Sequence, residues 1–351
     1  MTANSTEDDD WLFDSVTRYK HLHMYDLQYP VTALAWIDTN GVCVATRGMS
    51  KHEVTELSLP DKLCTTEDMA LSKNRDFQVL TGGFSSTEIR DIKHIPGTRL
   101  ICTSAVNVEG QLVVWKLGSR DTDLIKIDRK LKNVKPRGSW SLIAVQEQDH
   151  VTFGSHGDNL CCTDIMTQSV VQDTSEFSNA DKITSIRNMD SHTVYCCLIN
   201  GQLLKWDRRE KFPVVLDTNC VQSARWTLDL SGNDVVQISC NGHVYFLDAR
   251  KPDQVINSNN IGLTSSNVES LRICLKKKND YPMQYSISGF DGKVYLYSRD
   301  SSSPVFVHEG HIRNCCDDPS VVRVVTHLSH SAENIILSAA TDGSLHAWQN
   351  T

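Results

Sequence analysis

The stretch Ile335-Ile336-Leu337-Ser338-Ala339-Ala340-Thr341-Asp342-Gly343-Ser344-Leu345-His346-Ala347-Trp348 reads as an apolar strand, a tight turn and a second strand ending on tryptophan. The Asp-Gly pair supplies the positive φ angles of a two-residue hairpin turn, which predicts a strand on each side of it. The pattern recurs around Asp291-Gly292, Asn241-Gly242 and Asn200-Gly201, after a small insertion around Gly110, and more weakly around Gly157. The turn glycines 110, 157, 201, 242, 292 and 343 stand 47, 44, 41, 50 and 51 residues apart. That spacing is close to the roughly 40–45 residues of a four-stranded propeller blade.

Working outward, blades open at residues 31–36, 89–95, 141–145, 183–186, 224–228, 271–275 and 321–326, which makes seven. The fold class expected is therefore an all-β, seven-bladed propeller formed by residues 19–351 as one unit. Inner strands, packed on both faces by neighbouring blades, should be apolar throughout, as Leu112-Val113-Val114-Trp115 is, and outer strands should alternate more. Residues 1–18 read as an acidic tail and a short helix, with Leu12, Val16 and Tyr19 at helical spacing and Asp9 or Asp10 as N-cap. Residues 21–27 look like a strand with no hairpin partner, suited to supply the outer edge of the last blade and close the ring. Segments 64–75, 118–139, 171–182, 257–270 and 298–303 read as surface loops between blades.

Lys+Arg of 35 against Asp+Glu of 43 leaves a formal charge of −8, which argues against a surface that grips nucleic acid or an anionic membrane as a whole. The acidic start lacks the features of a signal peptide, and no apolar run approaches the length of a membrane span, so an intracellular, soluble, cytoplasmic chain with no membrane partner is expected. Its 12 cysteines fit that setting if reduced, with Cys102, Cys161, Cys196 and Cys240 serving as small apolar strand residues.

Two of the repeats end in Trp206-Asp207 and Leu247-Asp248, and the whole array resembles the WD-repeat family in degenerate form. In that light His311, Ser338, Asp342 and Trp348 look like the buried hydrogen-bonded network by which WD repeats pin a loop to a hairpin, a structural role. No Gly-x-Ser-x-Gly turn surrounds Ser338, so the likeness to a catalytic triad is superficial. His308 and His311 with Cys315 and Cys316 have metal-ligand chemistry but not the spacing of a zinc site, and no metal is expected. No nucleotide fingerprint occurs either, so no cofactor is expected. Carboxylates and histidines converging in the central channel would be needed for the alternative of a propeller hydrolase.

Two stretches are candidates for partner binding. Residues 126–137 carry six basic side chains in twelve, among them Lys130, Lys132, Lys135 and Arg137, positioned to meet an acidic protein surface. No aromatic residue is interleaved for base stacking, which argues against direct nucleic-acid binding. Asp9, Asp10 and Trp11 combine acidic charge with a large ring, either a helix cap on a solvated tail or a docking element.

Asp9-Asp10-Trp11-Leu12, Ala35-Trp36-Ile37-Asp38, Arg75-Asp76-Phe77, Gly82-Gly83-Phe84-Ser85, the run from Asp91 to Leu100, and Ile287-Ser288-Gly289-Phe290-Asp291-Gly292 resemble one particular branch of the WD-repeat family from end to end. That resemblance implies a non-enzymatic, mainly cytoplasmic scaffold, linked in its family to microtubules and spindle poles. It also implies association with the metallo-β-lactamase-type RNA endonuclease subunits of the Integrator complex and with the HEAT-repeat protein BRAT, the BRCA1-associated ATM activator. The endonuclease pair would be held until it is handed on for nuclear import.

Overall fold

The computed structural model describes residues 17–64, 74–108, 110–119, 122–145, 149–218, 221, 224–266, 268–276, 283–313, 325–330 and 334–350. The acidic tail and most of the expected N-terminal helix lie outside the described residues. Among those described, twenty-eight strands, β1 to β28 in chain order, form seven antiparallel four-stranded sheets. Six are consecutive in sequence, from β2–β5 to β22–β25, and the seventh runs β1-β28-β27-β26. The array is the seven-bladed propeller that the spacing predicted.

The turns that carry the repeat differ in one detail from the two-residue hairpin expected. Gly201, Gly242, Gly292 and Gly343 have positive φ, but Asn200, Asn241, Asp291 and Asp342 do not. The amides of Gly201, Gly242 and Gly343 donate to the carbonyls of Leu198, Ser239 and Ala340, each three residues back. This is a three-residue loop whose last position is left-handed, where glycine avoids the Cβ clash. Asp342 acts instead by side chain, its Oδ1 accepting from the Ser344 amide at 3.0 Å. Gly157 has no positive φ and sits in a short 3-10 turn, Gly157–Asn159.

Burial explains which strands are easy to read. The second strand of a blade lies between two neighbouring strands and between two neighbouring sheets. β3 (Gly41–Thr46), β15 (Thr193–Leu198) and β27 (Ile336–Ala340) are accordingly buried at every position. Innermost strands are buried less completely because their free edge meets the channel, as in β6 (Ile89–Ile95), where Ile89, Ile92 and Ile95 are buried and Arg90 is exposed. Outer strands fall where loops were expected. β9 (Lys126–Lys132) lies within the expected loop 118–139, β13 (Val170–Asp173) starts the expected loop at 171, and β21 (Lys251–Asn260) runs into the one at 257. The outer strand has a single neighbour and one wet edge, so it needs few apolar residues. In β9 Leu131 alone is buried.

Seven apolar clusters among the described residues hold the ring together, one at each blade-to-blade interface. Polar clamps support them. Asp91 of the second blade accepts the Ile143 amide of the third at 2.9 Å, and Asp229 of the fifth accepts the Leu275 amide of the sixth at 2.8 Å. Cys102, Cys161 and Cys196 are buried thiols within these clusters, and Cys240 is partly exposed. None of the described helices is long and apolar enough to cross a membrane.

The last interface is made by the chain's two ends. β1 (Tyr19–Asp26) pairs antiparallel with β28 (Ser344–Asn350), from Tyr19 opposite Asn350 to Asp26 opposite Ser344. Tyr19 is buried edge-on against Phe306, with ring centroids 5.0 Å apart, and against Trp348 at 6.1 Å. Its hydroxyl bonds His308 Nδ1 at 2.7 Å. The Leu27 amide then donates to the Gly343 carbonyl at 2.9 Å, tying the exit of β1 to the hairpin turn.

Deleting residues 1–27 is therefore expected to abolish the single cooperative melt of the whole ring, not to shorten it; a truncated protein that stays monomeric and melts cooperatively would contradict closure. Tyr19→Ala should lower stability by about 3–5 kcal/mol and Tyr19→Phe by about 1 kcal/mol, read by urea denaturation.

Candidate functional site

The side chains picked out in the last blade form one connected chain of hydrogen bonds. His311 Nε2 lies 2.8 Å from Ser338 Oγ, and Trp348 Nε1 donates to the same oxygen at 3.3 Å. Ser344 links Asp342 to His311, its hydroxyl donating to Asp342 Oδ1 at 2.6 Å while its oxygen lies 2.7 Å from His311 Nδ1. The order sets the tautomer. A carboxylate only accepts, so Ser344 gives its proton to Asp342 and accepts from His311 Nδ1–H. Neutral His311 then accepts through Nε2 from Ser338, whose oxygen accepts from the indole. Ser344 is the member that sequence reasoning missed; its position two residues after the turn aspartate was the available signal.

A second histidine pair adjoins this chain. His308 Nε2 lies 3.0 Å from His346 Nδ1, and the His346 ring stacks on His311 with centroids 4.0 Å apart. Gly310 permits the approach, since a Cβ there would lie 2.9 Å from both His308 and His346. The nitrogens of His308, His311 and His346 come within 4.8 Å of one another, close enough in principle for a metal ion. Both nitrogens of His308 and of His311 are already hydrogen-bonded, however, and a cation would have to break one bond of each, to Tyr19 or His346 on His308 and to Ser338 or Ser344 on His311. The cluster is a polar clasp at the ring's seam. Cys315 and Cys316 lie outside the described residues.

Burial pushes His346 down to about 4 and His308 well below its ordinary value. His327, bonded between Ser286 at 2.9 Å and Ser288 at 2.7 Å, is likewise pushed down to about 4 by burial.

The basic stretch 126–137 divides into two halves with different environments. Lys135 Nζ and Arg137 Nη1 converge on Asp158 at 2.7 and 2.8 Å, joining the second blade to the turn of the third. Burial by itself raises the Asp158 carboxyl, but the hydrogen bonds from Lys135 and Arg137 outweigh it and hold the group below its ordinary range. Lys130 and Lys132 sit on β9, exposed and without an ion pair among the described residues. At the other end of β9 the outer edges of the first two blades expose apolar side chains that the sequence does not announce. Leu124 and Ile127 are each 54% exposed, and Leu124 bridges to Gly82 of β5 (Gln78–Ser85), on which Val79, Leu80 and Phe84 are exposed as well. Asp9, Asp10 and Trp11 lie outside the described residues.

The channel, where a propeller hydrolase would keep its catalytic groups, is lined by the innermost strands. Its larger mouth is a cavity of about 600 Å³ bordered by Trp36, Asp38, Met189 and His330. Asp91 and Asp229 commit their oxygens to Lys93 and Arg187 and to the two clamped amides. These carboxylates brace neighbouring blades.

Comparison with known proteins accounts for the whole chain. No protein-family profile matches it. The chain is 30% identical to the Integrator complex assembly factor WDR73 of Danio rerio, over 99% of its own length and 98% of the relative's. The chain belongs to the WDR73 family. The Homo sapiens protein of that name is 30% identical over 97% of both chains, and that of Xenopus laevis 29% over 96% of both. The seven-blade ring with its polar clasp is thus the frame of a WDR73-family protein, and no enzymatic family is indicated among these relatives.

Stability should depend on pH through the neutral buried histidines of this family member. Unfolded, the imidazoles take up protons near 6.5; folded, His327 and His346 resist protonation down to about 4. Stability is therefore full above about 6.5 and falls as pH drops toward 4, by about 3 kcal/mol for each of the two. Calorimetry across that window should show the fall, and His327→Gln should flatten its slope by about one proton.

Proposed function

We propose that the chain is a non-catalytic scaffold that assembles or stabilises the RNA endonuclease module of the Integrator complex in the cytoplasm before nuclear import. Its partners in this reading are the metallo-β-lactamase-type endonuclease subunits and the HEAT-repeat protein BRAT. The observation that carries it is the full-length similarity to relatives named Integrator complex assembly factor. The ring suits such a role because it is rigid, its channel carboxylates brace the blades, and its rim offers a surface of the right composition.

That surface is the outer edge of the first two blades. Val79, Leu80, Phe84, Leu124 and Ile127 are exposed there, and further along β9 Lys130 and Lys132 form no ion pair among the described residues. Apolar contact ringed by charge is the usual anatomy of a protein interface. Lys135 and Arg137 are less suited, because their charge is already matched by Asp158.

The test is affinity capture from cell extract with quantitative mass spectrometry. The wild-type chain should recover the two endonuclease subunits and BRAT at near-equal ratio, and the double variant Lys130→Glu/Lys132→Glu should lower that recovery roughly tenfold while melting as wild type does. Recovery of tubulin and spindle-pole components in their place would support a microtubule adaptor and defeat the assembly reading.

A further inference from the structure

Around the channel, the cations are matched by carboxylates almost throughout. Lys93 lies 3.1 Å from Asp91, Arg187 2.5 Å from Asp229, Arg90 3.1 Å from Glu88 and Lys182 2.5 Å from Glu269. Arg272, the first residue of β22 (Arg272–Leu275), is the half-buried exception among the described residues. Its Nη1 donates to the backbone carbonyls of Glu269 at 2.7 Å and Leu271 at 2.9 Å, while Nε and Nη2 make no hydrogen bond there. Carbonyls orient a guanidinium without neutralising it. Burial lowers the affinity of Arg272 for its proton and neighbouring Arg187 adds to this, the attraction of Asp91 and Glu269 falling short of compensation. A half-buried cation that forms no ion pair gains from a carboxylate brought within contact.

The place to supply it is at hand. Arg272 borders a cavity of about 280 Å³ at the mouth where the innermost strands begin, together with Arg47, Arg90, Trp140, Thr326 and Thr341. Arg47 is exposed and has no ion pair among the described residues. We propose that this mouth binds an extended acidic peptide segment of a protein partner, one Asp or Glu carboxylate seating on the open edge of Arg272. A guanidinium with Nε and Nη2 open matches a carboxylate at two points. Glu88 and Glu269 in the same wall favour a singly charged carboxylate over a doubly charged phosphate. The cavity takes one or two side chains and not a helix, and Trp140 offers an apolar wall to the next residue. The site stands on channel geometry alone and does not rest on the Integrator reading.

The experiment is fluorescence anisotropy on the full chain with a labelled hexaglutamate peptide, a hexaglutamine peptide as control and inorganic phosphate as competitor. Hexaglutamate should bind saturably and hexaglutamine should not. Arg272→Gln should weaken binding at least about tenfold, whereas Lys130→Glu/Lys132→Glu should change it less than about twofold. Thr341→Glu, which keeps Arg272 and places a carboxylate beside it, should block the peptide as well and keeps the test open if Arg272→Gln folds poorly. Undiminished binding by either mouth variant, equal binding of hexaglutamine, displacement by equimolar phosphate, or no binding by the wild-type chain would each overturn the proposal.

Discussion

Every blade of this ring depends on a pairing made between residues more than three hundred positions apart, β1 on β28. Without it the seventh sheet has three strands and the seam cluster loses Tyr19, its contribution from the first strand. Among the described residues that cluster is the smallest of the seven, and a chain of buried polar bonds adjoins it. The two facts belong together. A seam closed by the chain ends gains less from apolar area, and directional bonds compensate by fixing the register. Joining the termini closes a loop as long as the chain, whose entropic cost grows only slowly with length. Once closed, each blade is held on two sides.

The neutral histidines follow from that arrangement. His311 bridges Ser344 and Ser338 through its two ring nitrogens, and burial holds His308 and His346 beside it in the neutral form. The same burial that makes the seam tight makes charging it unfavourable. The carboxylates of the channel show the opposite solution. Asp91 and Asp229 remain useful as anions because each meets a cation and a backbone amide of the next blade. The ring is therefore sewn at its centre by paired charge and at its seam by neutral polar groups.

What is legible in the sequence is whatever burial writes into a strand locally. β3, β15 and β27 are buried throughout, and the turn glycines repeat at nearly constant spacing, so blades and their number can be read directly. Outer strands cannot, because a strand with one neighbour tolerates Lys126, Asp128 and Lys130 as readily as a loop does. The site is harder for a related reason. Lys135 and Arg137 look like free charge in sequence, since the Asp158 that holds them is 23 and 21 residues away. His308 looks like a metal ligand because its partner, Tyr19, is 289 residues distant. The exposed apolar side chains on β5 and β9 are invisible for the converse reason: a scatter of Val, Leu, Phe and Ile is what any strand contains.

These distinctions bear on how such a ring can serve as a scaffold. A partner cannot recruit Lys135, Arg137 or the seam histidines without withdrawing them from bonds that hold blades together, so binding there would weaken the fold. Lys130, Lys132 and the exposed apolar side chains can be covered with no such loss, because the fold asks nothing of them. Arg272 lies between these cases: its backbone bonds place it, yet its charge is left over. Where most of the channel cations are matched, a surplus charge beside a cavity is where recognition can be added with the least disturbance to the closure on which the ring depends.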